Sequence, residues 1–543
     1  MTPVRKKIYL DRWLAFHPYK KPGSSDYYYL ELASRLRIII DSEKHDYLVS
    51  LLDEEEDIEN LCCCLACYLE DIVSETGIWQ AFTGKHRELY RKDLPFYKTV
   101  EYYHEEINAE DIYFLLWYFF STAVYDEMII SPQNVDLYEL GSEVYNLLDE
   151  EYERAPENDR LKEFLTLSPG EEDFFVIRMR IEFIILDSYL FPFNRLECFV
   201  EVAERMEDMK DQMEDYEMEQ NMPLMMYETV DTYILSKIFP LLALRGKDWL
   251  AYVLGREHPL FDDIISISEK KTGYYLYQKK ENGFLYFEHI ATRTVLPVTV
   301  KSYNTLPELI EGKTILTCSF VKWKNNWWFS GTSAVYKYNS DFIAKEKESI
   351  QSRNLFDGMV QKQYEVLQKQ YKAFLEFNKG ESIAFFESSE MAGNYALEFM
   401  EFYKKSLHVS DKEEKEAVKR AQKKGLPGMP GKLDFDDEVK GLPGFVFFNP
   451  ESGIEIAYGF NEFIPHPDNP FYDKEKCRES AIEVLASQEI SKECSLYLVG
   501  LMEPGSLRFP GEPDGRNLED NLDFVLRYWK SKNYYSKPEI TLI

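Results

Sequence analysis

Cys64-Leu65-Ala66-Cys67 is the thiol pair at a spacing that redox or metal chemistry uses. No second Cys or His pair follows at zinc-site spacing, and Cys62 and Cys63 precede it inside an apolar helical pattern, so buried core cysteine is the expected role. His104-Glu105-Glu106 opens like a zinc-protease helix, but Asn108 stands where the second histidine ligand would have to be. The hydrolase elbow GxSxG is absent. Lys424-Gly425 through Lys432-Leu433 resembles a phosphate loop only superficially, because Leu433 replaces the required Ser or Thr and the prolines remove backbone donors. Asp523 lies four residues from both Glu519 and Arg527; the second spacing is that of an ordinary helical ion pair. His466, with Asp468 nearby in FIPHPDNP, is the best isolated acid–base candidate and would serve a hydrolase or transferase site in the C-terminal part. No motif calls for a cofactor or a resident metal.

Recognition is better served than catalysis. From Lys270 to Ser340 the local charge is +6, in a chain of net charge −33. The same stretch is rich in Ile, Val, Thr, Tyr, Phe and Trp in runs at 264–268, 273–278, 283–290, 294–300, 314–323 and 326–338. Such runs in a short span specify a small β-barrel, SH3-like or OB-like, over 259–340. Lys279, Lys280, Lys322 and Lys324 fall on its turns beside Trp323, Trp327 and Trp328. With the indoles at the surface, these seven residues would form a binding face for single-stranded nucleic acid or an acidic protein. The commoner arrangement puts the aromatic rings in the barrel core and uses the lysines to protect strand edges. The basic island could also dock on the chain's own acidic helices.

The elements that must carry these residues follow from period and punctuation, and the whole reads as a multidomain α+β protein. Residues 1–254 read as a large all-helical domain; Ile58, Leu61, Leu65, Leu69 and Ile72 share one helical face. Met206, Met209 and Met213 make a methionine stripe that fits core packing. Residues 341–379 form a linking amphipathic helix on Val360, Tyr364, Leu367, Tyr371 and Phe374. Residues 380–543 read as a mixed α/β domain with a hairpin at 445–460 and a flexible Gly/Pro-rich linker at 411–443. Asp11 and Arg12 interrupt the apolar run an export signal needs, and 112–125 is shorter than the roughly 18 residues of a membrane span. Eight cysteines, four of them crowded together, make no disulfide framework, so a cytoplasmic protein is expected.

The phrases KKIYLDRWLAFHPYKKPGSSDYYYLELA (6–33), GIEIAYGFNEFIPHPDNPFYDKE (453–475) and LEDNLDFVLRYWKSKNYY (518–535) resemble a family of bacterial proteins, mainly from Bacteroides-type bacteria, known as a domain of unknown function. The resemblance implies a bacterial intracellular protein and assigns no catalytic residue. The expected function is therefore non-enzymatic binding or scaffolding through the barrel.

Overall fold

A computed structural model describes residues 7–538 except 53, 100, 125–127, 210–214, 304–308, 358–359, 408–415, 417–418, 420–432 and 434. It has a large helical N-terminal part, a closed five-stranded barrel and a mixed α/β C-terminal part, and the stretch expected as one linking helix is broken into three, Ser340–Lys347, Ile350–Asp357 and Val360–Phe377. Among the described residues no helix is long and apolar enough to cross a membrane.

The helix Glu55–Ser74 is buried on almost every side, which is why four cysteines suit it: all are small, apolar, enclosed and free of disulfides. Polar groups inside this core are matched by donors. Asp71 accepts the first backbone N–H groups of the helix Ile78–Tyr90 (Ile78 at 3.2 Å, Trp79 at 2.7 Å) and the Tyr189 hydroxyl at 2.6 Å. A two-residue strand pair, β1 (Ile238–Phe239) and β2 (Leu244–Arg245), ends the run of long helices.

The barrel consists of β3 (Lys271–Glu281), β4 (Phe284–His289), β5 (Val295–Thr299), β6 (Thr314–Trp323) and β7 (Asn326–Lys337), closed in the order β3-β4-β5-β7-β6. Its neighbours are antiparallel except β5 and β7, which meet in parallel at Val298 and Trp327. A barrel in which the first strand pairs with the fourth and the third with the fifth has the OB-type arrangement, which decides between the two expected forms. Alternating residues Tyr275, Tyr277, Leu285, Phe287, Phe320 and Phe329 fill the interior. The β3–β4 turn is Asn282-Gly283, both at positive φ, so β3 runs on through Lys279 and Lys280 instead of turning there. The run 264–268, expected as a strand, lies at the end of the helical part: Phe261–Ile265 is a helix, with Asp262 and Asp263 in its first turn. Short apolar runs carry no period that separates the two states.

Two features join barrel to helices. Val321, Trp323 and Trp328, at the tip of the β6–β7 hairpin, belong to the hydrophobic core of the helical part. The Trp323 indole N–H donates to the Glu172 carbonyl (3.1 Å), and Trp328 meets Phe175 edge-on at 5.8 Å. Beside them, Asp231 takes Arg178 Nε at 2.7 Å, Lys270 Nζ at 2.8 Å and the Ser330 hydroxyl at 2.6 Å. Glu228 bonds Lys270 and the Thr332 N–H, and Gly331, at φ +71°, makes room for its carboxylate.

In the C-terminal part an antiparallel sheet is ordered β10-β9-β8, from β8 (Ile383–Phe386), β9 (Gly444–Asn449) and β10 (Gly453–Tyr458), the last two forming the expected hairpin. The seam of the helix Val360–Phe377 places Leu367 and Phe374 against Phe399 and Phe448. The expected linker 411–443 falls largely outside the described residues; at its described end Ser389 Oγ donates to the Val439 carbonyl at 2.7 Å. Residues 495–502, ambiguous in sequence, lie mostly in the helix Lys492–Leu501. The chain then returns to the helical part, where Phe509, Phe524, Tyr528 and Trp529 join its core.

Trp328→Ala, which empties a fully buried site shared by two modules, is expected to cost about 3–5 kcal/mol in chemical denaturation. It should also speed proteolysis between the helical part and the barrel; an unchanged unfolding midpoint would mean the hairpin tip does not hold the two together.

Candidate ligand cleft

An open cleft of about 1450 Å³ lies where the returning C-terminal segment meets the helical part. One wall is the loop 91–99, a second comes from residues 128–138 and the outer face of the helix Ala109–Ala123, and the third is 510–521, a turn followed by the short helix Arg516–Glu519. Arg91 and Phe96 adopt positive φ (61° and 65°), which is uncommon for residues with a Cβ and costs on the order of 1 kcal/mol each. Phe96 is held there from both sides of the chain. Its N–H donates to Asn521 Oδ1 at 3.2 Å, and its ring packs on Phe509 and Phe524. Tyr97, Tyr113 and Tyr138 form an aromatic wall, with Tyr113 and Tyr138 ring centroids 4.6 Å apart.

Glu512 is the group that stands out. It lines the cleft yet is only 8% exposed, and Ser131 Oγ (2.7 Å) and Asn517 Nδ2 (3.1 Å) both donate to the same oxygen, Oε1. Its Oε2 takes no donor among the described residues. Oε2 is not enclosed, so the carboxylate is anchored through one oxygen and presents the other to the cleft. The Ser131 oxygen in turn accepts the Gln133 N–H at 3.0 Å, so this hydroxyl is engaged on both sides. The cleft lining contains no histidine and no cysteine.

The residues anticipated for binding are not gathered in one place. Trp323 and Trp328 are each 1% exposed, and Trp327 is half-buried against the barrel core. Trp323 and Trp328 cannot act as stacking platforms, because the hairpin tip that carries them is inserted into the helical part. Lys324 is held there too, with Nζ donating to the Glu171 carbonyl at 2.7 Å. Lys279, Lys280 and Lys322 are exposed, Lys279 pairing with Glu281 at 2.5 Å. His466 accepts the Asp468 N–H on Nδ1 (3.2 Å), and its Nε2 lies 3.8 Å from Glu381, outside hydrogen-bond reach. Asp523 makes the helical ion pair with Arg527 at 2.8 Å, and Tyr90 donates to it at 2.5 Å.

Residues 7–282 match the model of a family described as protein of unknown function (DUF3843). The chain belongs to the DUF3843 family. No curated protein and no solved structure matches it. The matched DUF3843 region supplies two walls of the cleft and the first strand of the barrel, while the 510–521 wall lies outside it.

Two buried clusters in the DUF3843 region escaped the sequence reading because their members are far apart in the chain. His17, Cys67 and Glu70 bring ligand atoms within 4.8 Å of one another. Every oxygen of this cluster is already engaged. His17 Nε2 meets Glu70 at 2.8 Å and Nδ1 meets the Trp13 carbonyl at 3.0 Å; Asn158 donates to the other Glu70 oxygen, and Trp13 and Tyr19 donate to the neighbouring Asp26. A proton must lie between His17 and Glu70, so the cluster works as a buried ion pair. Burial alone lowers the His17 pKa, but Glu70 reverses the shift and holds the ring above its ordinary value. In the second cluster Asp111 accepts from Tyr68 (2.6 Å), Tyr102 (2.8 Å) and Asn108 (3.2 Å), yet burial pushes its carboxyl up to about 7.

Because the folded Asp111 pKa lies above its unfolded value near 3.9, the folded state holds this proton between about pH 4 and 7. Its contribution is present in acid and lost as pH rises through 7. Asp111→Asn is therefore expected to flatten the decline in unfolding free energy between pH 5 and 8. Parallel pH profiles for variant and parent would rule out a proton on Asp111.

Proposed function

We propose that the protein is a non-enzymatic, cytoplasmic binding protein whose ligand occupies the cleft between residues 91–138 and 510–521. The reading rests on Glu512, a buried residue lining this cleft whose carboxylate is fixed through Oε1 by Ser131 and Asn517, with Oε2 uncommitted among the described residues. Support comes from the left-handed backbone at Phe96, since strain of this kind gathers at ligand sites, whereas Arg91 takes that conformation as the cap of the helix Ile78–Tyr90. A binding role fits the lining better than catalysis: it offers no histidine or cysteine, and Ser131 is committed to Glu512 and Gln133. The barrel lysines Lys279, Lys280 and Lys322 are the weaker site, because the Trp323 and Trp328 indoles point away from solvent and the β6–β7 hairpin is occupied by the helical part.

The test is a thermal-shift panel of peptides, oligosaccharides, nucleotides and single-stranded DNA on the full chain. A ligand that raises the melting temperature should do so in the Lys279→Ala/Lys280→Ala variant and fail in Val135→Trp, which places a large ring on the exposed rim. A ligand with the opposite pattern returns recognition to the barrel. A panel without any stabilising member overturns the proposal.

A further inference from the structure

Six charged groups around the cleft form no ion pair among the described residues. Arg91, Lys92 and Lys98 stand on the 91–99 wall, and Glu110, Asp136 and Asp520 stand on the other two. The remaining lining charges are spoken for: Asp93 is paired with Arg87 and Asp514 with Arg516. Lys92 Nζ reaches across to the Asp520 backbone carbonyl at 3.5 Å, but no ammonium or guanidinium of the 91–99 wall closes on a carboxylate of the others. Exposed charges of this kind are satisfied by water and mean little singly. Glu512 differs, because the residue is only 8% exposed and its carboxylate is held in place through Oε1 by Ser131 and Asn517 while Oε2 opens on the cleft.

Resting on the cleft as the ligand site, we infer that its occupant is an extended peptide segment in which a lysine or arginine side chain reaches Glu512 Oε2 and an acidic residue lies along the Arg91–Lys98 wall. A cation is the donor that a carboxylate fixed through one oxygen and open at the other binds best. The unpaired basic wall asks for an anionic group on the same ligand. A neutral oligosaccharide answers neither wall, and a polyanion would be repelled by Glu110, Asp136, Asp520 and Glu512. The volume, about 1450 Å³, exceeds the roughly 300–1,000 Å³ of small-molecule pockets and suits a chain with several residues in contact. The tyrosine wall gives such a chain flat apolar area at little entropic cost.

Fluorescence anisotropy with the full chain and labelled mixed-charge decapeptides, each fixed with lysine or Nε-acetyl-lysine at the central position, tests this. Lysine peptides should bind, and acetylation should weaken them on the order of thirtyfold or more. Glu512→Gln, which keeps an acceptor oxygen for Ser131 and Asn517, should weaken lysine peptides equally and erase their advantage over acetylated ones. Arg91→Ala, on the exposed wall, should weaken only peptides that carry Asp or Glu. Equal binding of lysine and acetyl-lysine peptides to the parent protein overturns the inference. So does binding of an uncharged oligosaccharide that Val135→Trp blocks and Glu512→Gln leaves alone, and that result would leave the cleft itself standing as the site. Failure of peptides and oligosaccharides alike to bind in a Val135-dependent way would sink both.

Discussion

The buried carboxylate of Asp231 is the constraint on which the junction between helices and barrel depends. Burial raises its pKa, but Lys270 from the entry to the barrel and Arg178 from the helical part more than offset that and hold it below the ordinary range. Each partner comes from a different module, so separating them would leave an uncompensated charge on one side or the other. The ion cluster fixes register: Ser330 and the Thr332 N–H reach Asp231 and Glu228 only when the barrel is seated in one orientation. The tryptophans at the hairpin tip then add the apolar area that the charges do not supply.

This docking changes what the barrel can be used for. In OB-type barrels the loop between the fourth and fifth strands is one of the two that grip oligonucleotides or oligosaccharides. In this chain that loop, Lys324-Asn325, leads into the helical part, with Lys324 held by the Glu171 carbonyl. A fold shared with many binding modules thus serves as an internal clamp, and function has to be argued from the cleft instead.

How much of this could be read from residues in order depended on range. The helical face of Ile58 to Ile72, the enclosed cysteines and the hairpin at 445–460 were legible because local period and turn chemistry determine them. The aromatic strands were legible as a barrel, though not the destination of Trp323 and Trp328, since an indole in a β-run looks the same whether it fills its own barrel or a neighbour's core. The run at 264–268 was misread because a few apolar residues fit either period. Glu512 sits in Pro510-Gly511-Glu512-Pro513-Asp514-Gly515, which reads as a plain turn. Its meaning appears only when Ser131, 381 positions earlier, is beside it.

Phe509, Phe524 and Trp529 complete a core whose other members begin at Ile8. During synthesis the early helices must therefore wait, with part of their apolar surface uncovered, until residues 509–529 have left the ribosome. In that interval the helical part exposes apolar surface that its distant partners will later cover, and chaperone protection would matter most.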